Sequence, residues 1–83
     1  MSKYCVSLGA SAEIWAHRGH KVVGGMVYCD SLLEALKVAL ESLGDDCATE
    51  TVGGKVFFWR SHEKYLADED CLSPDAVVME VVE

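Results

Sequence analysis

Hydrophobic and polar residues alternate along the chain in a pattern that predicts five strands and one helix. Runs of alternating, β-branched or aromatic residues mark the strands, at positions 4–8, 21–29, 47–52, 55–60 and 76–82. Small residues at 9–12 indicate a bend, and residues 18–20 indicate a tight reversal. Gly24-Gly25 inside the second run suggests a bulge or a close approach of another backbone segment. Gly53-Gly54 predicts a two-residue hairpin turn, because glycine takes a positive φ without steric cost.

Residues 31–43 predict the helix. Ser31 and Glu34 have the spacing of a capping box, in which each side chain satisfies a backbone amide of the first turn. Gly44 is a natural end for the helix. Apolar residues at helical spacing predict a face turned toward the core, made of Leu32, Leu36, Ala39, Leu40 and Leu43 and widened by Leu33, Ala35 and Val38.

The order of these elements is β-β-α-β-β-β. It predicts an α+β domain with an antiparallel sheet of about five strands and one α-helix packed on one face. The other face of the sheet is then partly exposed to solvent or forms an interface. Residues 1–83 are expected to form a single domain, without internal repeats and without a long linker.

The four cysteines are widely spaced, and no two of them form a Cys-x-x-Cys pair. This spacing favours reduced thiols over a disulfide framework or a zinc ribbon. Cys71 lies in an acidic stretch, so its thiol is expected to be exposed and able to link two copies of the chain on oxidation. No signal peptide or membrane-spanning segment is expected, and the predicted location is the cytoplasm.

Acidic residues are concentrated in the second half of the chain. Residues 1–44 carry as many cations as carboxylates, so residues 45–83 hold the whole net charge of −7. Such a surface repels phosphate backbones, which argues against direct binding of nucleic acid, and it attracts basic proteins. A net charge of this size also aids solubility without any partner.

The sequence predicts no catalytic residues, no cofactor and no metal. His17 and His20 lie near a hairpin tip, but no third ligand is close to them in sequence. The acidic run at 68–70 lacks the ligand spacing of a calcium loop.

Strand alternation places Phe57 and Trp59 on one sheet face and Phe58 on the other. With no covering layer, Phe57, Trp59 and Cys71 would form a self-interface and the chain a homodimer. The alternative is a sheet that is covered on both faces.

The chain resembles two families of small proteins. In size, acidity and predicted architecture it resembles the phage-encoded anti-CRISPR inhibitors, which share no common motif. The run Asp30-Ser31-Leu32-Leu33-Glu34-Ala35 is similar to the helix start of HicB-type antitoxins. HicB proteins usually have a proline- and glycine-containing segment before that helix, whereas this chain has Val22-Val23-Gly24-Gly25-Met26-Val27, and no DNA-binding tail follows.

The first resemblance implies a non-enzymatic inhibitor that binds a Cas effector complex at the basic surface that holds target DNA. The second implies an antitoxin that binds a small basic toxin ribonuclease. A homo-oligomeric structural protein is a third possibility. Under the first resemblance the contacting residues are the carboxylates Asp45, Asp46, Glu63, Asp68, Glu69, Asp70 and Asp75.

Overall fold

A computed structural model describes residues 3–81, which form one six-stranded sheet with three helices. The strands are β1 (Lys3–Ser7), β2 (Lys21–Val23), β3 (Met26–Cys29), β4 (Ala48–Val52), β5 (Lys55–Trp59) and β6 (Ala76–Val81). The helices are α1 (Glu13–His17), α2 (Leu32–Leu43) and α3 (His62–Ala67), and a 3₁₀ turn (Gly9–Ala12) precedes α1.

The strands are arranged in the order β2-β3-β1-β6-β5-β4, and every neighbouring pair is antiparallel. The predicted α+β class is therefore confirmed, with six strands where about five were expected. Residue 82, the predicted end of the last strand, lies outside the described residues. Within residues 3–81, no helix is both long enough and apolar enough to cross a bilayer.

The additional strand arises at Gly24-Gly25, which forms a hairpin turn between β2 and β3, so the predicted bulge is wrong. The φ angles of these two glycines, 60° and 78°, nearly equal the 58° and 80° of Gly53 and Gly54. Both turns thus have two central residues with positive φ, the geometry that matches the twist of an antiparallel hairpin.

The two hairpins belong to a local repeat, contrary to expectation. Val-Gly-Gly-x-Val occurs at residues 23–27 and again at 52–56, and a serine-capped helix follows each time. Ser31 Oγ accepts from the amide of Glu34 at 3.1 Å, and Ser61 Oγ accepts from that of Lys64 at 3.1 Å. Capping satisfies an amide that has no partner inside the helix.

Helix α2 packs on one face of the sheet, over β1, β3 and β6. Its buried residues are Ala35, Val38 and Ala39, so small side chains allow the helix to approach the strands closely. Leu32 and Leu40 remain 41% and 42% exposed. The buried stripe therefore lies within the predicted face but is narrower, and α2 also contacts the α1 region, where Trp15 Nε1 donates to Ser42 Oγ at 2.9 Å.

Gly25 is the glycine that the fold tolerates changing least. A methyl group there would lie 3.0 Å from Gly9 Cα, whereas one on Gly54 would meet nothing within 4 Å. Both residues have positive φ. We expect Gly54→Ala to lower the free energy of unfolding by about 1–2 kcal/mol through backbone strain alone.

Gly25→Ala should lower the free energy of unfolding by about 1–3 kcal/mol more than Gly54→Ala does, because crowding against the Gly9 backbone adds to the strain. Urea unfolding of the two variants measures the difference. Equal losses would show that the contact between Gly25 and Gly9 contributes nothing to stability.

Candidate functional site

Residues 62–75, which we call the α3–β6 segment, cover one corner of the sheet face opposite α2. The ring of Tyr65 lies 4.9 Å from that of Trp59, and Trp59 is fully buried. Trp59 therefore cannot contribute to a self-interface, because the segment covers it. Phe57, whose ring lies 6.1 Å from that of Trp59, stays half-buried on this face.

Asp68 holds the middle of the segment in place. Its carboxylate accepts hydrogen bonds from Trp59 Nε1 at 2.9 Å and from the amides of Leu72 and Ser73 at 3.0 and 2.8 Å. The bond from Trp59 is the main cause that lowers the pKa of Asp68 below its usual value. This carboxylate is thus committed to the fold.

Asp75 holds the end of the segment. Its carboxylate accepts from the amide of Arg60 at 2.8 Å and from the ammonium of Lys64, and its own amide donates to the carbonyl of Phe58 at 2.8 Å. Partial burial alone would raise the pKa of Asp75, but the bonds from Lys64 and Arg60 outweigh it and lower the pKa. Two of the seven carboxylates proposed from the resemblance, Asp68 and Asp75, are therefore internal anchors.

Glu50 on β4 holds the α3–β6 segment to the sheet through two hydrogen bonds. It accepts from the hydroxyl of Tyr65 at 2.9 Å and from the thiol of Cys71 at 3.0 Å, and these two bonds lower the pKa of Glu50. Cys71 is partly buried and has a φ of 55°, a backbone conformation that non-glycine residues rarely adopt. Its bond to Glu50 is the main cause that raises the pKa of Cys71 to about 11.

Five carboxylates of the predicted set remain exposed: Asp45, Asp46, Glu63, Glu69 and Asp70. None of the five forms an ion pair or a side-chain hydrogen bond with another residue in the described range 3–81. The loop before β4 and the loop after β5 lie at the same end of the sheet, because Ala48 pairs with Trp59. The fold thus brings the five carboxylates to one end of the sheet.

Two leucines project from the same segment. Leu66 and Leu72 are 71% and 78% exposed, more than the other large hydrophobic residues that the structure describes as exposed. Leu66 lies on α3 after Glu63, and Leu72 lies directly after the acidic run at 68–70. The charge pattern pointed to this segment, but sequence reasoning missed the leucines because they fit equally well into a core.

The remainder of this sheet face carries no covering element among the described residues. Its centre is apolar, and Lys3 and Lys21 lie on the same face toward one end. A row of paired residues crosses the strands from edge to edge: Val23, Met26, Ser7, Val77, Phe57 and Glu50. A second row contains Tyr28, Cys5 and Met79. Directly paired residues point to the same side of a sheet, so the two rows form one surface.

The opposite end of the sheet gathers a different group of side chains. His20 lies close to Cys29 and Glu34, and their ligand atoms are all within 4.8 Å of one another. His17, by contrast, is exposed at the end of α1. The sequence did not reveal this cluster, because the hairpin and the start of α2 bring together residues that share no motif spacing.

The environment of Cys71 predicts a slowly reacting thiol. Glu50→Gln should lower the pKa of Cys71 toward its ordinary value, and alkylation at pH 8 should accelerate by about tenfold or more because the thiolate is the nucleophile. Glu69→Gln is the control, since it removes the same charge nearby without breaking the bond from the thiol to Glu50. The rate is measured by mass spectrometry of the peptide that contains Cys71.

The alkylation rate of Cys71 also tests whether this thiol links two copies of the chain on oxidation. Fast alkylation of Cys71 in the unmodified chain, equal to that of an unstructured peptide, would contradict the raised pKa and would favour that linkage.

Comparison with protein-family models, with curated proteins and with solved structures finds no match for this chain.

Proposed function

We propose that this chain is a non-enzymatic protein-binding inhibitor, and that its α3–β6 segment binds the cationic surface of a partner protein. The observation that carries the proposal is the exposure of Leu66 and Leu72 among carboxylates that have no partner within residues 3–81, Glu63, Glu69 and Asp70. Protein interfaces combine an apolar centre with a polar rim in this way. A pocket that accepts a leucine and is bordered by lysines or arginines is the complementary surface.

The segment is held in one conformation before any partner arrives. Asp68, Asp75 and Glu50 tie it to the sheet through hydrogen bonds at its middle, its end and its underside. Ordering a loose loop on binding costs about 0.5–1.5 kcal/mol per immobilised side chain, and a pre-ordered segment avoids much of that cost. The unusual backbone at Cys71 fits the same role, since such conformations cluster at binding and switch regions.

The exposed carboxylates would mainly raise the rate of association with the partner protein. Opposite charge across an interface raises association rates, whereas its effect on the final affinity varies from case to case. Catalysis is a poorer fit to the segment, because Cys71, the thiol it contains, has a pKa raised to about 11 and is a weak nucleophile at neutral pH.

The proposed partner is a protein whose basic surface normally holds nucleic acid. The resemblance to anti-CRISPR inhibitors identifies a Cas effector complex as the first candidate, in which the chain would block binding of target DNA. A small basic toxin ribonuclease, the partner implied by the HicB resemblance, has the same charge complementarity. Genomic position beside a toxin gene would favour that second partner.

We expect Glu69→Lys/Asp70→Lys to slow association with the Cas effector complex by about tenfold or more and to weaken the salt dependence of the rate. Glu13→Lys/Glu41→Lys is the control, because it changes the net charge equally but acts on α1 and α2, away from the segment. Surface plasmon resonance against a panel of purified effector complexes gives the rates. A gel-shift assay with target DNA shows whether binding inhibits.

A second variant separates the apolar contribution from the charges. Leu66→Ala/Leu72→Ala should leave association nearly unchanged and speed dissociation, because apolar anchors act on the bound state. If the charge-reversal variant binds and inhibits as well as the unmodified chain, the acidic segment is not the binding site. If no effector in the panel binds, the Cas partner is wrong.

The uncovered sheet face favours self-association as a second candidate function. Met79 and Val77 lie near its centre on β6, and Phe57 on β5 borders them. An exposed apolar surface of this kind marks an interaction site in many proteins. Two copies stacked face to face would cover it.

Sedimentation velocity over a range of concentrations tests this candidate. Met79→Lys should weaken any dimer by about tenfold or more, because a charge in an apolar interface must lose its hydration. Thr51→Lys is the control, since Thr51 pairs with Val56 and so points to the other face of the sheet. A monomer at all concentrations, or equal dimerisation of both variants, would exclude this face as a self-interface.

A further inference from the structure

We infer that His20, Cys29 and Glu34 form a binding site for a single zinc ion, at the end of the sheet opposite the acidic segment. The three side chains come from the residue before β2, the end of β3 and the first turn of α2. Their ligand atoms lie within 4.8 Å of one another. This inference is independent of the proposed protein-binding function.

The distance between histidine and glutamate already fits a shared metal. His20 Nε2 lies 3.5 Å from Glu34 Oε1. With zinc bonds of about 2.0–2.1 Å to nitrogen and oxygen, tetrahedral geometry places two such ligand atoms about 3.3 Å apart. The pair therefore needs almost no movement to bind one ion, and small rotations would bring the cysteine sulfur into range.

The orientation of the imidazole supports the same conclusion. His20 Nδ1 lies 3.3 Å from the carbonyl oxygen of Tyr28, which can only accept, so Nδ1 carries the hydrogen. This leaves Nε2, which lies 3.5 Å from Glu34 Oε1, as the ring nitrogen available to a metal. A hydrogen bond from the second ring nitrogen to a backbone carbonyl is the usual support of a metal-binding histidine.

Two further contacts hold the ligands in place. The ring of Trp15 meets that of His20 edge-on, with centroids 5.5 Å apart. Glu34 Oε2 accepts from the amide of Asp30 at 3.4 Å, which leaves Oε1 to face the histidine. The glutamate that caps α2 is thus also oriented as a ligand.

Cys29 completes the set. It is only 3% exposed, yet it lines an open depression of about 320 Å³, and its thiol has no hydrogen-bond partner among residues 3–81. Sulfur, nitrogen and oxygen ligands together favour zinc over magnesium or calcium, which prefer oxygen alone. With three protein ligands, a fourth position would open to the depression and bind water or a small anion.

Cobalt is the first probe, because it adopts the same tetrahedral geometry and its thiolate complexes absorb strongly. Titration with Co²⁺ should saturate at one ion per chain and produce a thiolate-to-cobalt charge-transfer band. Zn²⁺ should displace the cobalt, since a site with a thiolate ligand selects zinc. Competition with a chromophoric chelator then gives the zinc affinity.

Three variants, each with a matched control, locate the site. Cys29→Ser, His20→Gln and Glu34→Gln should each weaken zinc binding by about tenfold or more, as loss of a metal-site residue does. Their controls are Cys47→Ser, His17→Gln and Glu13→Gln, which replace the same residue types outside the cluster and should retain the unmodified affinity. Circular dichroism without metal checks that each variant folds, and Glu34→Gln retains an oxygen that can accept from Asp30.

The response to pH gives an independent readout. Zinc binds the thiolate of Cys29, so a proton should be released on binding and the apparent affinity should rise with pH. The other charged groups around the depression are Lys3, Arg18, Lys21 and Asp30.

The outcomes separate a zinc site from a simple ion pair between His20 and Glu34. A charge-transfer band that Cys29→Ser abolishes and Cys47→Ser retains supports the site. Absence of the band, or equal losses in variants and controls, would overturn it. Neither result depends on whether a partner binds the acidic segment.

Discussion

The buried indole of Trp59 fixes the position of the α3–β6 segment on the sheet. An indole N–H removed from water must have an acceptor, because an unpaired buried donor is strongly unfavourable. Asp68 supplies it, and the same carboxylate also binds two amides of the loop that follows α3. One hydrogen-bonded aromatic side chain thus fixes the position of a whole acidic segment.

This arrangement divides the carboxylates into two groups. Asp68, Asp75 and Glu50 accept hydrogen bonds from side chains and amides, and their pKa values are lowered as a result. The exposed group has no such partners within the described residues and faces solvent. Some carboxylates in this half of the chain therefore stabilise the fold, and others lie exposed on the surface. The net charge alone does not distinguish the two groups.

The ends of the sheet differ in chemistry because the chain crosses it in antiparallel hairpins. Each hairpin turn of two glycines reverses the chain tightly, and each is followed by a serine-capped helix. One copy of this repeat leads into α2 and brings Glu34 beside His20. The other leads into α3, which carries Leu66. A single local motif therefore precedes both the α3–β6 segment and the cluster that contains Glu34.

The local elements were readable from residues because their causes are local. Glycine pairs, serine caps and alternation identify turns, helix starts and strand faces without reference to the rest of the chain. The α+β class, the helix that begins after Ser31 and the opposite orientations of Phe58 and Trp59 follow from such signals. The double-glycine turn at 24–25 was misread because a bulge and a hairpin use the same residue.

What only the tertiary structure decided is which side chains meet. Burial of Trp59, the pairing of Cys71 with Glu50 and the approach of Cys29 to His20 join residues that are distant in sequence and share no spacing. Strand order and the path of the segment after α3 determine those contacts. Those contacts depend on the packing of the complete chain. The type of a residue indicates whether its side chain favours burial or hydrogen bonding, but it does not identify the partner.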